Sequence, residues 1–197
     1  RWPDDPEELR ALLAGYGLKF ISGWYSCNLL VQSVQDEIAA CQAHLAKLKH
    51  NGCKVMITCE TSNAIHGDAG RAVNDRPRLT ADGMRDFGAK LEEFAAYLAG
   101  QGVTLVYHHH MGTIVESPEE IDALMAATGP HAQLLFDAGH CAFGGGDPVA
   151  VLTRHAARVR HFHAKNIRPN VVARVRDEGM SFLQGVLAGA FTVPGDQ

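Results

Sequence analysis

Two hydrophobic periodicities alternate along the chain. In PEELRALLAGYG, apolar residues recur at helical spacing (Leu9, Leu12, Leu13, Tyr16) and stop at Gly17, after which LKFISGW is a short continuous apolar run. This predicts a helix feeding a strand. The same grammar returns in SVQDEIAACQAHLAKLKHNG before CKVMITCE, and in TADGMRDFGAKLEEFAAYLAGQG before VTLVYHHH. Gly17, Gly52 and Gly102 each suit a left-handed helix C-cap. SPEEIDALMAATG then leads to AQLLFDAGH, with Ser117 and Glu120 spaced as a capping box around Pro118. Asp147 and Pro148 open a further helix before RVRHFHAK.

Five apolar strands alternating with helices predict an α/β fold of parallel strands covered by crossover helices, which leaves a doubly wound sheet or a (β/α)8 barrel. The polar runs ETSNAIHGDAGRAVNDRPRLT and AGHCAFGGGDP follow strands rather than precede them. Long βα loops of this kind are where TIM barrels place their active sites, so the barrel is the favoured architecture. A complete barrel has eight strands in about 250 residues, so a chain with five is expected to be a partial (β/α)8 TIM barrel. Residues 1–197 read as a single domain, with no linker or low-complexity tract.

Composition narrows the function classes. A net charge of -4, with acidic and basic residues intermixed, offers no basic stripe for nucleic acid. No apolar run approaches the roughly 18 to 20 residues of a membrane span, and no signal segment stands at the N-terminus. Cys27, Cys41, Cys53, Cys59 and Cys141 lack CxxC spacing and sit mostly in apolar segments, which reads as reduced core thiols in a cytoplasmic protein.

In a parallel α/β protein, the residues able to meet are those at the carboxyl ends of strands. Here these read as Gly23, Trp24 and Tyr25; Glu60; His108, His109 and His110; Asp137 and His140; and His161, His163 and Lys165. One polar strand end is ordinarily just solvated, but five in succession argue for a site. Asp137 and His163 are hard or borderline ligands suited to Mn²⁺, Co²⁺, Zn²⁺ or Mg²⁺. Strand parity puts His108 and His110 on one face and His109 on the other, so at most two of the three serve one site. It also places His161 beside His163, deeper in the strand. Glu60 is read as a general base, a ligand or a loop cap. Lys165 is read as an oxyanion partner or proton carrier, or as an ordinary surface charge. Trp24 and Tyr25 could line a sugar-like ring or simply pack the barrel top. GGGDP lacks the GxxxxGK[ST] pattern and reads as a flexible turn ending in an N-cap.

YHHHMGT, LLFDAGH, FGGGDP, HFHAKNIRP and SFLQGVLAGAFTVPGD resemble the corresponding stretches of the inosose dehydratases of bacterial inositol catabolism, within the xylose-isomerase-like barrels. GLKFISGWYS, the RPRLT loop and LMAATGP are similar to that family too, so the resemblance runs nearly end to end. It implies a metal-dependent hydro-lyase that removes water from 2-keto-myo-inositol to give a trihydroxycyclohexane-1,2-dione, using Mn²⁺ or Co²⁺.

The implied metal ligands are Asp137, His163 and one of His108 and His110. Glu60 and Lys165 are the candidates for the base, with His140 or a metal-bound water available to protonate the departing hydroxyl. Two departures stand out: DTGH reads DAGH, and HxKD reads HAKN, with Asn166 in place of an aspartate that would orient His163 or Lys165. By the same resemblance, the chain begins near the third barrel strand and stops before the eighth, which would carry another glutamate ligand. The expected partner is a small-molecule polyol or cyclic ketose, with homo-oligomer formation open and neither nucleic acid nor membrane. The rival readings are a sugar or polyol isomerase or epimerase of the same superfamily, a non-catalytic polyol-binding fragment, and an endonuclease that would need a basic surface.

Overall fold

A computed structural model describes residues 2–196. The elements in chain order are α1 (Pro6–Ala14), β1 (Trp24–Cys27), α2 (Val34–Ala40), α3 (Gln42–His50), β2 (Val55–Glu60), α4 (Ala81–Gly100), β3 (Thr104–His108), α5 (Pro118–Ala127) and β4 (Gln133–Asp137). They continue with α6 (Ala138–Phe143), α7 (Pro148–His155), β5 (Val159–His163), β6 (Asn166–Ile167), α8 (Pro169–Asp177), α9 (Phe182–Leu187) and β7 (Phe191–Thr192). Strands β1 to β5 form one parallel sheet in sequence order, and β6 pairs antiparallel with β7.

The strands are held in place by local chemistry that the sequence announces. Ser117 and Glu120 form the capping box of α5 with Pro118 in its first turn, and Asp147 caps α7. Gly17, Gly52 and Gly102 adopt φ of 67°, 71° and 79° where the chain leaves a helix for the next strand.

Alternation along the strands then divides the sheet. The helix-facing side carries Met56, Leu105, Tyr107, Leu134 and Phe136, packed with Phe87, Leu91, Phe94 and Leu98 of α4. The opposite side carries Ile57, Val106 and Leu135, with Val55 against them. Because side chains alternate, the next inward positions after Val106 and Leu135 are His108 and Asp137. The hydrophobic interior thus sets the chemistry directly above itself.

Three readings of the sequence are corrected. The first strand is not LKFISGW: it starts at Trp24, which pairs with Ile57, while Leu18 and Ile21 are exposed. The Ser22 hydroxyl donates to the Val55 carbonyl at 2.9 Å, so sheet pairing opens only at Gly23, and Gly23, Trp24 and Tyr25 begin the strand rather than end it. The long helix before β2 is broken at Cys41. The Ile38 carbonyl, which a continuous helix would offer to Gln42 N, is instead taken by the Gln42 side-chain amide at 2.5 Å, with the Cys41 thiol 3.3 Å away. AGHCAF is the short helix α6 rather than loop, because Asp137 Oδ1 accepts from His140 N at 3.0 Å and acts as its N-cap. All five cysteines are buried and free. No helix among the described residues is long and apolar enough to cross a membrane.

Candidate functional site

Asp137 is the hub. It ends β4 with no exposed surface, next to His163 of β5 in the pairing register. A register shift between Leu134 and Leu135 sets His161 opposite Leu135 and His163 opposite Asp137, so both histidines lie on the inward side. Asp137 Oδ2 accepts from His163 Nδ1 at 3.2 Å, is in contact with the Lys165 ammonium, and faces His108 Nε2 at 3.6 Å. Burial works to raise the Asp137 pKa. Hydrogen bonds from His163 and Lys165, together with the lysine charge, outweigh it and hold the carboxyl well below the usual range. Lys165 reaches this oxygen across Gly139, where a Cβ would stand 2.6 Å from the Lys165 Cβ.

The histidine tautomers follow from their partners. His108 Nδ1 lies 2.6 Å from the His109 carbonyl, which can only accept, so Nδ1 carries the proton. Burial, and after it His109, pushes the His108 pKa down to about 3. His108 is therefore neutral at neutral pH, and its Nε2 lone pair is turned on the Asp137 carboxylate. Two acceptors facing each other in a buried site repel unless a cation lies between them. The ligand atoms of His108, Asp137 and His140 lie within 4.8 Å of one another, and they form the one such histidine, cysteine or carboxylate group found among the described residues. His140 Nδ1 is buried with no hydrogen-bond partner. This donor set, two imidazoles and a carboxylate, fits a divalent cation of the borderline class.

The remaining predicted residues distribute as follows. His110 sits beside this group, its ring 4.1 Å from that of His140, with Nδ1 bound to the Met111 carbonyl at 2.9 Å. Burial, then His108, lowers its pKa to about 3. His109 turns to the helix side against Phe136, where its Nε2 accepts from Asp137 N at 3.2 Å and its Nδ1 finds no partner. Burial brings it down to about 4. His140, expected as a proton donor, lies with His108 and Asp137 in the group whose geometry could hold a metal ion.

Glu60 is not brought to the cluster. Its Oε1 accepts from Ser62 N at 2.9 Å, and its Oε2 from Leu30 N at 3.3 Å with the Cys27 thiol at 3.7 Å. A buried carboxylate between two loops needs such donors, and burial raises its pKa despite them. Asn166 turns away into the β6–β7 ribbon, donating to the Asp196 carbonyl at 2.7 Å. The carboxylate that the HxKD pattern would supply beside the site is accordingly absent from that position.

Of the site's aromatic walls, only Trp24 is expected from the sequence; His66, Phe182 and Phe191 are not. On one side, Trp24 lies 5.6 Å from His108 and 5.8 Å from His110, and His66 lies 5.0 Å from His110. On the other, Phe182 lies 5.1 Å from His110, and Phe191 lies 4.9 Å from His140. His66, Phe182 and Phe191 lie outside the five sheet strands, where strand parity says nothing. Only the length of the polar loop after β2 hinted at His66.

Successive parallel βα units carrying a buried carboxylate and imidazoles at their strand ends are the architecture of a TIM barrel, here with a group whose geometry could hold a cation. Residues 1–192 match the xylose isomerase-like TIM barrel, and the chain belongs to that family. It is 42% identical over 196 residues to the rhizopine catabolism protein MocC of Rhizobium meliloti, an alignment covering 100% of this chain and 60% of that protein. It is 39% identical over 198 residues to the inosose dehydratase of Geobacillus thermodenitrificans (strain NG80-2), covering 100% of this chain and 66% of that protein. The chain thus spans less than two thirds of the length of these curated relatives.

Among solved structures, it is similar to the probable 3-DHS dehydratase AsbF of Bacillus anthracis (TM-score 0.60, 16% identity, 84% of this chain and 60% of that one). It is also similar to a family 2 AP endonuclease of Brucella melitensis (TM-score 0.62, 12% identity, 90% of this chain and 74% of that one). At such identities the likeness is one of fold.

Proposed function

We propose that the protein is a hydro-lyase of the inosose dehydratase type, removing water from 2-keto-myo-inositol to give a trihydroxycyclohexane-1,2-dione. The observation that carries this reading is the neutral His108 Nε2 facing the Asp137 carboxylate at 3.6 Å beside the Lys165 ammonium. It is supported by the 39% identity of the whole chain to an inosose dehydratase. His108, Asp137 and His140 would hold a divalent metal, Mn²⁺ or Co²⁺, with His163 on the same Asp137 oxygen and His110 alongside. Bound there, the metal would supply Lewis-acid polarisation of a substrate ketone.

The residues of the chain account for the rest. Elimination takes a proton from the carbon next to the ketone and a hydroxyl from the carbon beyond it, and the resulting enol tautomerises to the second ketone. We assign the proton transfer to Lys165 Nζ: its ammonium gives a proton to the departing hydroxyl, which leaves as water, and the amine so formed takes up the proton lost from carbon. Glu60, whose carboxylate holds two backbone amides, is assigned to fixing the loops around the site. Trp24, Phe182 and Phe191 exclude water from it and give the ring of a cyclic polyol apolar faces to rest on.

Product analysis tests the reading. Incubation with 2-keto-myo-inositol should yield the dione and no isomerised ketose, and Lys165→Met should lower kcat by about 100-fold or more, the scale of lost general acid-base catalysis. An isomerised ketose as the product would move the protein to the epimerases of the same barrel class.

A further inference from the structure

The loop between β2 and α4 carries His66, which none of the strand-end chemistry employs. Its position is fixed from beneath: Ile65 N donates to the Gly112 carbonyl at 2.9 Å, and Gly112, at φ 74°, comes so close that a Cβ on it would stand 2.9 Å from His66 N. Gly112 is in turn held by Glu116, whose Oε2 accepts from Gly112 N at 2.8 Å. The Glu116 carboxylate is paired with Arg76 and Arg176 at 3.4 and 2.6 Å. A backbone hydrogen bond and a close glycine contact thus hold this part of the loop against the segment after β3.

The half-buried His66 ring stands edge-on to His110 and Trp24, at 5.0 and 6.3 Å between centroids. Trp24 is itself fixed by its indole N–H donating to Ser26 Oγ at 2.9 Å. The two nitrogens of His66 differ. Nδ1 is enclosed with no partner, whereas Nε2 makes no hydrogen bond and is not among the enclosed atoms. An enclosed lone pair costs less than an enclosed N–H, which assigns the proton to Nε2 and makes that atom an unused, solvent-facing donor in a rigid aromatic corner beside His108 and His110.

We propose that His66 is a substrate-binding residue: its Nε2–H donates to a ring hydroxyl of a cyclic polyol lying against Trp24, and so helps select substrates that carry a hydroxyl there. The inference rests on the polyol reading of the site given above. An open donor is satisfied by water before substrate binds, so the bond adds the modest increment of a neutral hydrogen bond to affinity and nothing particular to the transition state.

The test compares His66→Phe, which keeps a ring against Trp24 and His110, with His66→Gln, whose amide can set an N–H near the place of Nε2. Steady-state kinetics with 2-keto-myo-inositol should show KM raised about 5- to 10-fold in the Phe variant, with kcat within a factor of about two, and KM restored to within about threefold in the Gln variant. An unchanged KM in the Phe variant overturns the proposal. So does an equal loss of kcat in both variants, because a packing role has that signature.

Calorimetric titration of the same compound separates the two layers of inference. Wild-type binding without turnover, weakened by His66→Phe and restored by His66→Gln, keeps the role of His66 and rejects the dehydration. Absence of both binding and turnover rejects the two together.

Discussion

Acid should unfold this protein through its histidines rather than its carboxylates. Burial lowers the pKa of His108 to about 3 and of His109 to about 4, and it puts His140 well below its ordinary value. A base depressed in the folded state contributes its full share of stability above the unfolded pKa of about 6.5, and that share is lost as pH falls below it, because the unfolded chain takes up protons that the folded one refuses. Between pH 7.5 and 5.5 each such histidine costs about 1.4 kcal/mol, so these three together cost about 4 kcal/mol. That is a large part of the roughly 5–15 kcal/mol that holds a domain folded.

His110, and to a lesser degree His44, His66 and His161, are lowered as well and add in the same direction. Asp137, a depressed carboxyl, contributes stability that is lost only below about pH 4 and so stays out of this window. Glu60, a carboxyl raised by burial, acts in the opposite direction. Urea unfolding at 25 °C, with chelator present, should show a loss of at least about 4 kcal/mol from pH 7.5 to 5.5 at constant m. A loss below about 1.5 kcal/mol would mean that the cluster is protonated in the folded state, and the argument from neutral imidazoles to a cation site would fall with it.

Three substitutions probe the frame. Glu60→Gln weakens the hold on Leu30 N and Ser62 N and should lower stability by about 1–2 kcal/mol while leaving kcat within a few-fold; a thousandfold loss of kcat would make Glu60 the base instead. His109→Phe removes the acceptor for Asp137 N and should cost about 1–2 kcal/mol in urea with little effect on turnover, whereas an effect on turnover as large as that of Asp137→Ala would contradict the division of the two faces. Gly112→Ala forces a side chain to φ 74° and against His66, and should destabilise by about 1–2 kcal/mol or more and raise KM, whereas unchanged thermal unfolding would show that the loop yields freely.

The α/β alternation, the capping box at Ser117 and the glycine stops were legible because each is a local rule acting over a few residues. So was the separation of His109 from His108 and His110, since strand parity needs only the neighbours. What escaped depended on distance in space. The start of β1 was set by what β2 offered for pairing rather than by the apolar run before Trp24. The separation of Glu60 from the cluster was decided by the amides of Leu30 and Ser62, one of them 30 residues away in sequence. His66 entered through a glycine contact with another loop. His140 became a ligand candidate because Asp137 capped the helix that carries it, a consequence of α6 having been read as loop.

On the function proposed above, His108, Asp137 and His140 hold a divalent metal that the dehydration requires. The most direct measurement is the rate of dione formation from 2-keto-myo-inositol by protein stripped with chelator and then titrated with Mn²⁺ or Co²⁺, with metal content measured on the same samples for the wild type and Asp137→Ala. The expected result is activity that returns in proportion to one bound metal per chain, with an Asp137→Ala protein that stays folded yet neither retains the metal nor forms the dione. Dione formation at full rate in the stripped protein, or tight metal binding that survives Asp137→Ala, would contradict it.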